Sequence, residues 1–352
     1  MAIDWGDAER GIQTAVAADA QEFIDALRRS NPHWWEDESC PWVFRGHAQA
    51  DWPLLPSAWR PGNPIIENAT LEATRRFEAV APNQELKWMW GNFVSGAAEF
   101  GPNDQELSKR LSIATTTEYL PLWEFTARCD ALGMPVPLMG GPGPDPDQDP
   151  DWLADAQIPL VGDELLRFSD LPNALALAQH HGLPTRLLDW TSDPIASAFF
   201  AVEALNEPEA EHDLVVWALH KRRARDTTTE GITFPNGLDG AGPVTPRIAV
   251  FRPLSRDNPY LAAQSGLFTT IAASGVYYLK HNGERPSLET FVHNANPAQP
   301  VLRRLLLSHE HAPDLINILQ RERVSRSALM PTMDNVAADV LRKWRQFKLV
   351  DP

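Results

Sequence analysis

The chain has 352 residues, 43% of them hydrophobic and 22% charged, which describes a globular protein of one large domain or two ordinary ones rather than a disordered one. Its 47 acidic and 31 basic side chains leave a net charge of −16, so its surface repels phosphate backbones at long range and disfavours non-specific binding to DNA or RNA. Two cysteines, Cys40 and Cys129, exclude a disulfide scaffold and a CxxC metal pair, and no run of 18 apolar residues occurs; a cytoplasmic protein with no membrane contact is expected.

In chain order, Ala18 to Arg29 reads as a short amphipathic helix with Phe23, Ile24 and Leu27 on one face. Pro41-Trp42-Val43-Phe44-Arg45-Gly46 reads as a strand ended by glycine, with Arg45 where a side chain reaches into a site. Prolines 53 and 56 keep Trp52 to Arg60 extended. From Glu67 to about Leu132 the pattern is helical, with Leu71, Phe77 and Val80 on one face and Leu111 to Trp123 in a later helix. Residues 133–150 form a Pro/Gly/Asp-rich loop.

Ser169 or Asp170 caps a helix that Gly182 ends after His180-His181. Leu183 to Asp189 enters the core as an extended segment, and Asp193-Pro194 starts an Ala-rich helix. Leu214 to Leu219 is the clearest buried strand; Arg247–Phe251, Leu261–Ile271 and Val301–Leu307 are further strand patterns, and two helices close the chain. The sum is an α+β protein with a mixed sheet and a helical insertion.

Several polar residues in this order invite chemistry. Adjacent His180 and His181 point about 100° apart on a helix and do not share one metal well. Arg186, between apolar neighbours, needs a carboxylate partner; a structural ion pair with Asp189 or another acid is the simpler reading. Asp189-Trp190-Thr191-Ser192 ends in hydroxyls just before a helix, which suits either N-capping or a ribose or phosphate held at the helix start. Arg45 suits bidentate phosphate binding, with Gly46 letting a ligand approach the backbone. No GxSxG, GxxxxGKS or GxGxxG is present.

Phe44-Arg45-Gly46, Leu54-Leu55-Pro56-Ser57 with Arg60, the block from Gln179 to Thr191 with Pro194, Ala196 and Phe200-Ala201, and Gln264-Ser265-Gly266-Leu267-Phe268-Thr269 together resemble the FRG domain family, named for its (F/Y)-R-G motif. The resemblance implies an FRG domain over 41–335 with 67–166 inserted, after a helical lead-in at 1–40 and before a C-terminal helix at 336–352. The chain departs from the family at Asn258-Pro259-Tyr260, where an Arg is common, and at Met330 to Asn335, which replaces an acidic turn.

The order of these elements is also similar to the Arg-Ser-Glu type of ADP-ribosyltransferase, which implies a split ADP-ribosyltransferase-like fold and NAD as substrate. By that similarity Arg45 holds the NAD phosphates, and Gly46, Trp190, Thr191 and Ser192 shape the nucleotide site. His181 faces the nicotinamide or its ribose, and Gln264 positions a protein or nucleic-acid acceptor. Gly266 stands where the family's essential Glu would be, which leaves Asp189 as the carboxylate for an oxocarbenium-like transition state. The function so implied is an NAD-consuming effector in a bacterial toxin or antiphage setting. Two other readings stay open: a nucleotide-sensing or protein-binding module, and a nuclease or hydrolase with His180 or His181 as base and Asp189 orienting it.

Overall fold

The structure is a computed structural model that describes residues 3–80, 104–136, 171–203, 212–232, 244–252 and 266–346. The architecture is α+β. A mixed four-stranded sheet is formed by β1 (Ile12–Ala17), β2 (Trp42–His47), β4 (Leu214–His220) and β7 (Leu302–Leu307), in the order β1-β7-β4-β2. β1 runs parallel to β7, and β4 is antiparallel to both β7 and β2. A second, antiparallel sheet has the order β3-β6-β5, from β3 (Leu188–Trp190), β5 (Arg247–Phe251) and β6 (Leu267–Ala272).

Alternation along the strands sorts side chains between two cores. Trp42 and Phe44 of β2, with Leu214, Val216 and Ala218 of β4, pack against three helices: α1 (Ala20–Leu27), α5 (Pro194–Glu203) and α9 (Ala312–Arg321). The intervening Val43, Val215, Trp217 and Leu219 face the other way. They meet Leu188, Trp190, Ile248, Val250, Leu267 and Ile271 of the second sheet, and Leu288, Phe291 and Val292 of α8 (Leu288–Ala295). All seven residues of β4 are buried, which explains why that strand reads as a continuous apolar run. The two sheets are tied where β2 passes the end of β3. Phe44 N–H donates to the Thr191 carbonyl at 2.8 Å, and Thr191 N–H donates to the Phe44 carbonyl at 2.9 Å.

The helical expectation for Glu67 to about Leu132 holds over α2 (Pro64–Val80) and α3 (Asp104–Ala131). Leu71 is nevertheless 70% exposed, because α2 meets α3 through Ala69 and Ala73, small residues one turn apart that let the helices approach closely. Residues 81–103 of the expected helical stretch, the loop at 137–150 and the cap at Ser169 or Asp170 lie outside the described residues. α4 (Leu171–His180) ends as the sequence predicts: Gly182 has φ +86°, Leu183 N–H donates to the Ala178 carbonyl and Gly182 N–H to that of Gln179. The N-terminal segment departs from the expectation of a helical lead-in. Its β1 pairs with β7 over six residues, so 12–17 form the edge of the main sheet.

Candidate functional site

Arg45 lies on the face of β2 that carries Val43, toward the second sheet, at the end of the strand where the apolar inter-sheet core gives way to polar groups. Its side chain is 17% exposed and its guanidinium is fixed from two directions. Nε donates to His47 Nε2 at 2.9 Å, while Nη1 donates to the Asp189 carbonyl at 3.0 Å and to its carboxylate Oδ1 at 2.5 Å. Nη2 makes no hydrogen bond among the described residues.

His47 is 6% exposed. Burial, and then the charge of Arg45, push its pKa down to about 3, so the ring is neutral. Since Nε2 accepts from Arg45, the ring proton sits on Nδ1, which is buried and finds no acceptor of good geometry among the described residues.

The polar residues of the Gln179–Thr191 block form a chain of hydrogen bonds that ends on the same carboxylate. Thr185 Oγ1 donates to Gln179 Oε1 at 2.5 Å, and Gln179 Nε2 donates to Asp189 Oδ1 at 3.2 Å. Ser57 opens a 3-10 turn, Ser57–Trp59, that interrupts the stretch expected to be extended, and it holds Thr185 from the far side: its Oγ donates to the Thr185 carbonyl and accepts from the Thr185 N–H. Asp189 itself is 61% exposed on its side chain. Desolvation by its surroundings works to raise its pKa, but the charge and hydrogen bond of Arg45 outweigh it and hold the carboxyl below its ordinary value. Arg60 joins the cluster. Its Nε donates to the Leu55 carbonyl, and desolvation followed by repulsion from Arg45 lowers its pKa, with Asp189 opposing the shift. Two arginines and one carboxylate therefore leave a net positive charge beside an open, ionised Asp189.

The other residues singled out from the sequence divide. A Cβ on Gly46 would lie 2.0 Å from the Ser197 carbonyl oxygen and 2.8 Å from Ala201 N, so this glycine admits the backbone of α5 and not a ligand. Trp190 is 2% exposed in the inter-sheet core, where its Nε1–H donates to Thr269 Oγ1; its ring is packing, not a nucleotide wall. Thr191 forms the backbone bridge to Phe44, and its Oγ1 accepts from Asp193 N–H. Asp193 in turn accepts from the Ile195 and Ala196 N–H groups, which makes it the cap of α5. Ser192 is half-buried beside this cap.

His181 is exposed, its ring 5.2 Å from that of His180 and 6.0 Å from that of Phe125. Gln264 lies outside the described residues.

Arg186 does not pair with Asp189. Its Nε donates to Glu118 Oε2 at 2.7 Å, and Arg285 Nη2 donates to Glu118 Oε1 at 3.1 Å. Trp59 Nε1–H completes the set on Oε1 at 3.0 Å, and the Arg285 guanidinium lies 5.1 Å from the ring centres of Trp59 and Tyr278. Helix α3 thus reaches the segment from Gln179 to Thr191 through a buried carboxylate.

His47, Arg60 and Gln179 complete the site around Arg45. His47 was legible in principle, because strand alternation puts residue 47 on the face of residue 45; Arg60 and Gln179 stood in the motifs without an assigned role. Among the described residues no group of His, Cys, Asp and Glu is arranged to hold a metal ion, and no helix is long and apolar enough to cross a membrane.

A sequence model of the FRG domain matches residues 161–210, the segment that carries Gln179, Thr185, Asp189 and the cap of α5. No curated protein and no solved structure matches the chain.

Proposed function

From the premise that this chain carries an FRG domain, we propose that it binds NAD at the exposed Asp189 beside the β2–β3 tie and cleaves the bond between nicotinamide and ribose, as an ADP-ribosyltransferase or NAD glycohydrolase. The observation that carries this reading is Asp189: an ionised carboxylate, open to solvent, with a buried-side arginine on one flank and a net positive cluster around it. Arg45 Nη2 and Arg60 bind the diphosphate. The glycosidic bond breaks with its electron pair going to the nicotinamide ring nitrogen, which neutralises the pyridinium. Asp189 stabilises the positive charge left on the ribose, and water or an acceptor nucleophile adds there and gives up its proton to solvent. The two sheets, one mixed and one antiparallel, tied next to Arg45, support a split ADP-ribosyltransferase-like fold. His181, Thr191 and Ser192 are kept as ribose-side contacts, and Gln264 as the acceptor-side group.

The test is incubation of the full chain with NAD labelled in the nicotinamide, with Arg45→Lys and Asp189→Asn variants alongside. Release by the native chain and a loss of about a hundredfold or more in each variant are expected. No release, together with no NAD-induced melting shift, overturns the reading.

One observation favours a second reading, a nucleotide sensor without turnover: Asp189 Oδ1 is already engaged by both Arg45 and Gln179. A melting shift with NAD or ADP-ribose and no nicotinamide release selects it.

A further inference from the structure

α11 (Met333–Gln346) packs on α10 (Arg326–Leu329) through its polar side. Asn335, Ala338 and Asp339 are half-buried there. Asn335 Nδ2 donates to the Met330 carbonyl at 2.7 Å, and Asp339 Oδ2 accepts from the Ser327 N–H at 2.9 Å. The apolar side points the other way. Met333 is 91% exposed, Val336 51%, Val340 50% and Leu341 56%, and Trp344 continues the exposed series.

Steps of three and four residues put these five side chains on one broad stripe of the helix. A surface helix ordinarily turns such a stripe toward its own core. Here hydrogen bonds hold the opposite side, so the helix cannot roll the stripe inward without breaking both of them. A contiguous apolar patch kept in water in this way marks an interaction surface. The order of charges says what covers it. Asp334 and Asp339 lie in the first half of the helix sequence, and Arg342, Lys343 and Arg345 in the second. A helix so divided is complementary to itself when two copies run antiparallel, whereas parallel copies set like charge against like. An anionic lipid surface would meet the acidic half, and a chain whose net charge is −16.

We propose that the apolar stripe of α11 is a self-association surface, covered by α11 of a second copy of this chain in an antiparallel pair that crosses near Val340. A two-fold axis there makes the contact isologous. Val340 lies beside its own copy, Val336 beside position 344 of the second copy, and position 334 beside position 345. The contact is one helix wide, so the dimer is a reversible one of micromolar affinity.

The experiment is analytical sedimentation of the full chain across the micromolar range in about 0.15 M salt, which screens the net charge. A dimer that grows with concentration is expected. Val340→Asp should weaken it about tenfold or more by placing two carboxylates at the axis, with the fold of the single copy unchanged by circular dichroism because the position is half-exposed. Asp334→Arg and Arg345→Glu should each weaken the dimer severalfold. The double variant should return to within about twofold of the native chain, which only antiparallel pairing permits. A native chain that stays monomeric overturns the proposal, and binding of that monomer to phosphatidylserine vesicles, lost in Val340→Asp, would assign the stripe to lipid instead. A dimer that Val340→Asp leaves unchanged also overturns it, since the contact then lies elsewhere. So does a double variant that fails to recover.

Discussion

Gln179 and Asp189 stand ten positions apart and are joined by a hydrogen bond of 3.2 Å across the turn that Gly182 opens. The amide faces two ways: its oxygen takes the Thr185 hydroxyl and its nitrogen gives to the carboxylate. Gln179→Ala removes both. A stability loss of about 1–2 kcal/mol is expected in urea unfolding, because Thr185 is buried and loses an acceptor. NAD release should fall more than that loss explains, since Asp189 then has only Arg45 to hold it. Gln179→Glu, which keeps one acceptor but repels Asp189, should fail to restore release.

Gly46→Ala probes the strand–helix contact. The added carbon would meet the Ser197 carbonyl and Ala201 amide of α5, backbone atoms that cannot rotate away. Destabilisation upwards of about 3 kcal/mol, or loss of soluble folded protein, is expected by circular dichroism melting. Nucleotide affinity per folded molecule should change little.

Glu118→Gln leaves Arg186 and Arg285 facing each other with no carboxylate between them. Removing one partner of a buried ion network costs about 3–5 kcal/mol. Guanidinium unfolding of the native chain and the variant measures it. The double change Glu118→Leu with Arg186→Met should be milder than Glu118→Gln alone, because it removes a charge together with its partner.

His47 makes the fold acid-labile. Its folded-state pKa of about 3 lies below its ordinary 6.5, so as pH falls the unfolded chain takes up the proton first. Its contribution is whole above pH 6.5 and declines from there toward pH 3, by at most about 1.4 kcal/mol per pH unit. Asp189, with its pKa also lowered, loses its contribution in the same direction but at more acidic pH. Urea midpoints between pH 7 and 4.5 should fall in the native chain and fall less in His47→Gln.

Much of the frame was legible. β2, β4 and β7 carry the apolar runs and alternation that strands need, and α5 carries its Asp193-Pro194 start and small residues where it meets β2. β1 was not, because Gln13 and Thr14 break its apolar pattern and Val16, its strongest strand former, is 67% exposed. The site was half legible. Arg45 and Asp189 stood out as residue types, but their pairing spans 144 positions and local pattern is silent at that range. Arg186 called for a carboxylate, and the partner came from α3, 68 positions upstream. Gly46 and Trp190 misled for a common reason: a motif records that a residue type is required, and close packing can require it as strictly as a ligand does.

The parallel pairing of β1 with β7 has a consequence for how the protein is made. Ile12 lies opposite Leu302 and Ala17 opposite Leu307, so β1 leaves the ribosome long before its partner β7 and waits for it. β7 is also the strand that separates β1 from β4. Until it arrives, β2 and β4 can pair with each other while β1 has no neighbour at all. The main sheet therefore closes only after synthesis has passed residue 307, and contacts of such long sequence separation make that closure slow. An arrested chain ending before β7 should be held by chaperones with its first strand still searching for a place.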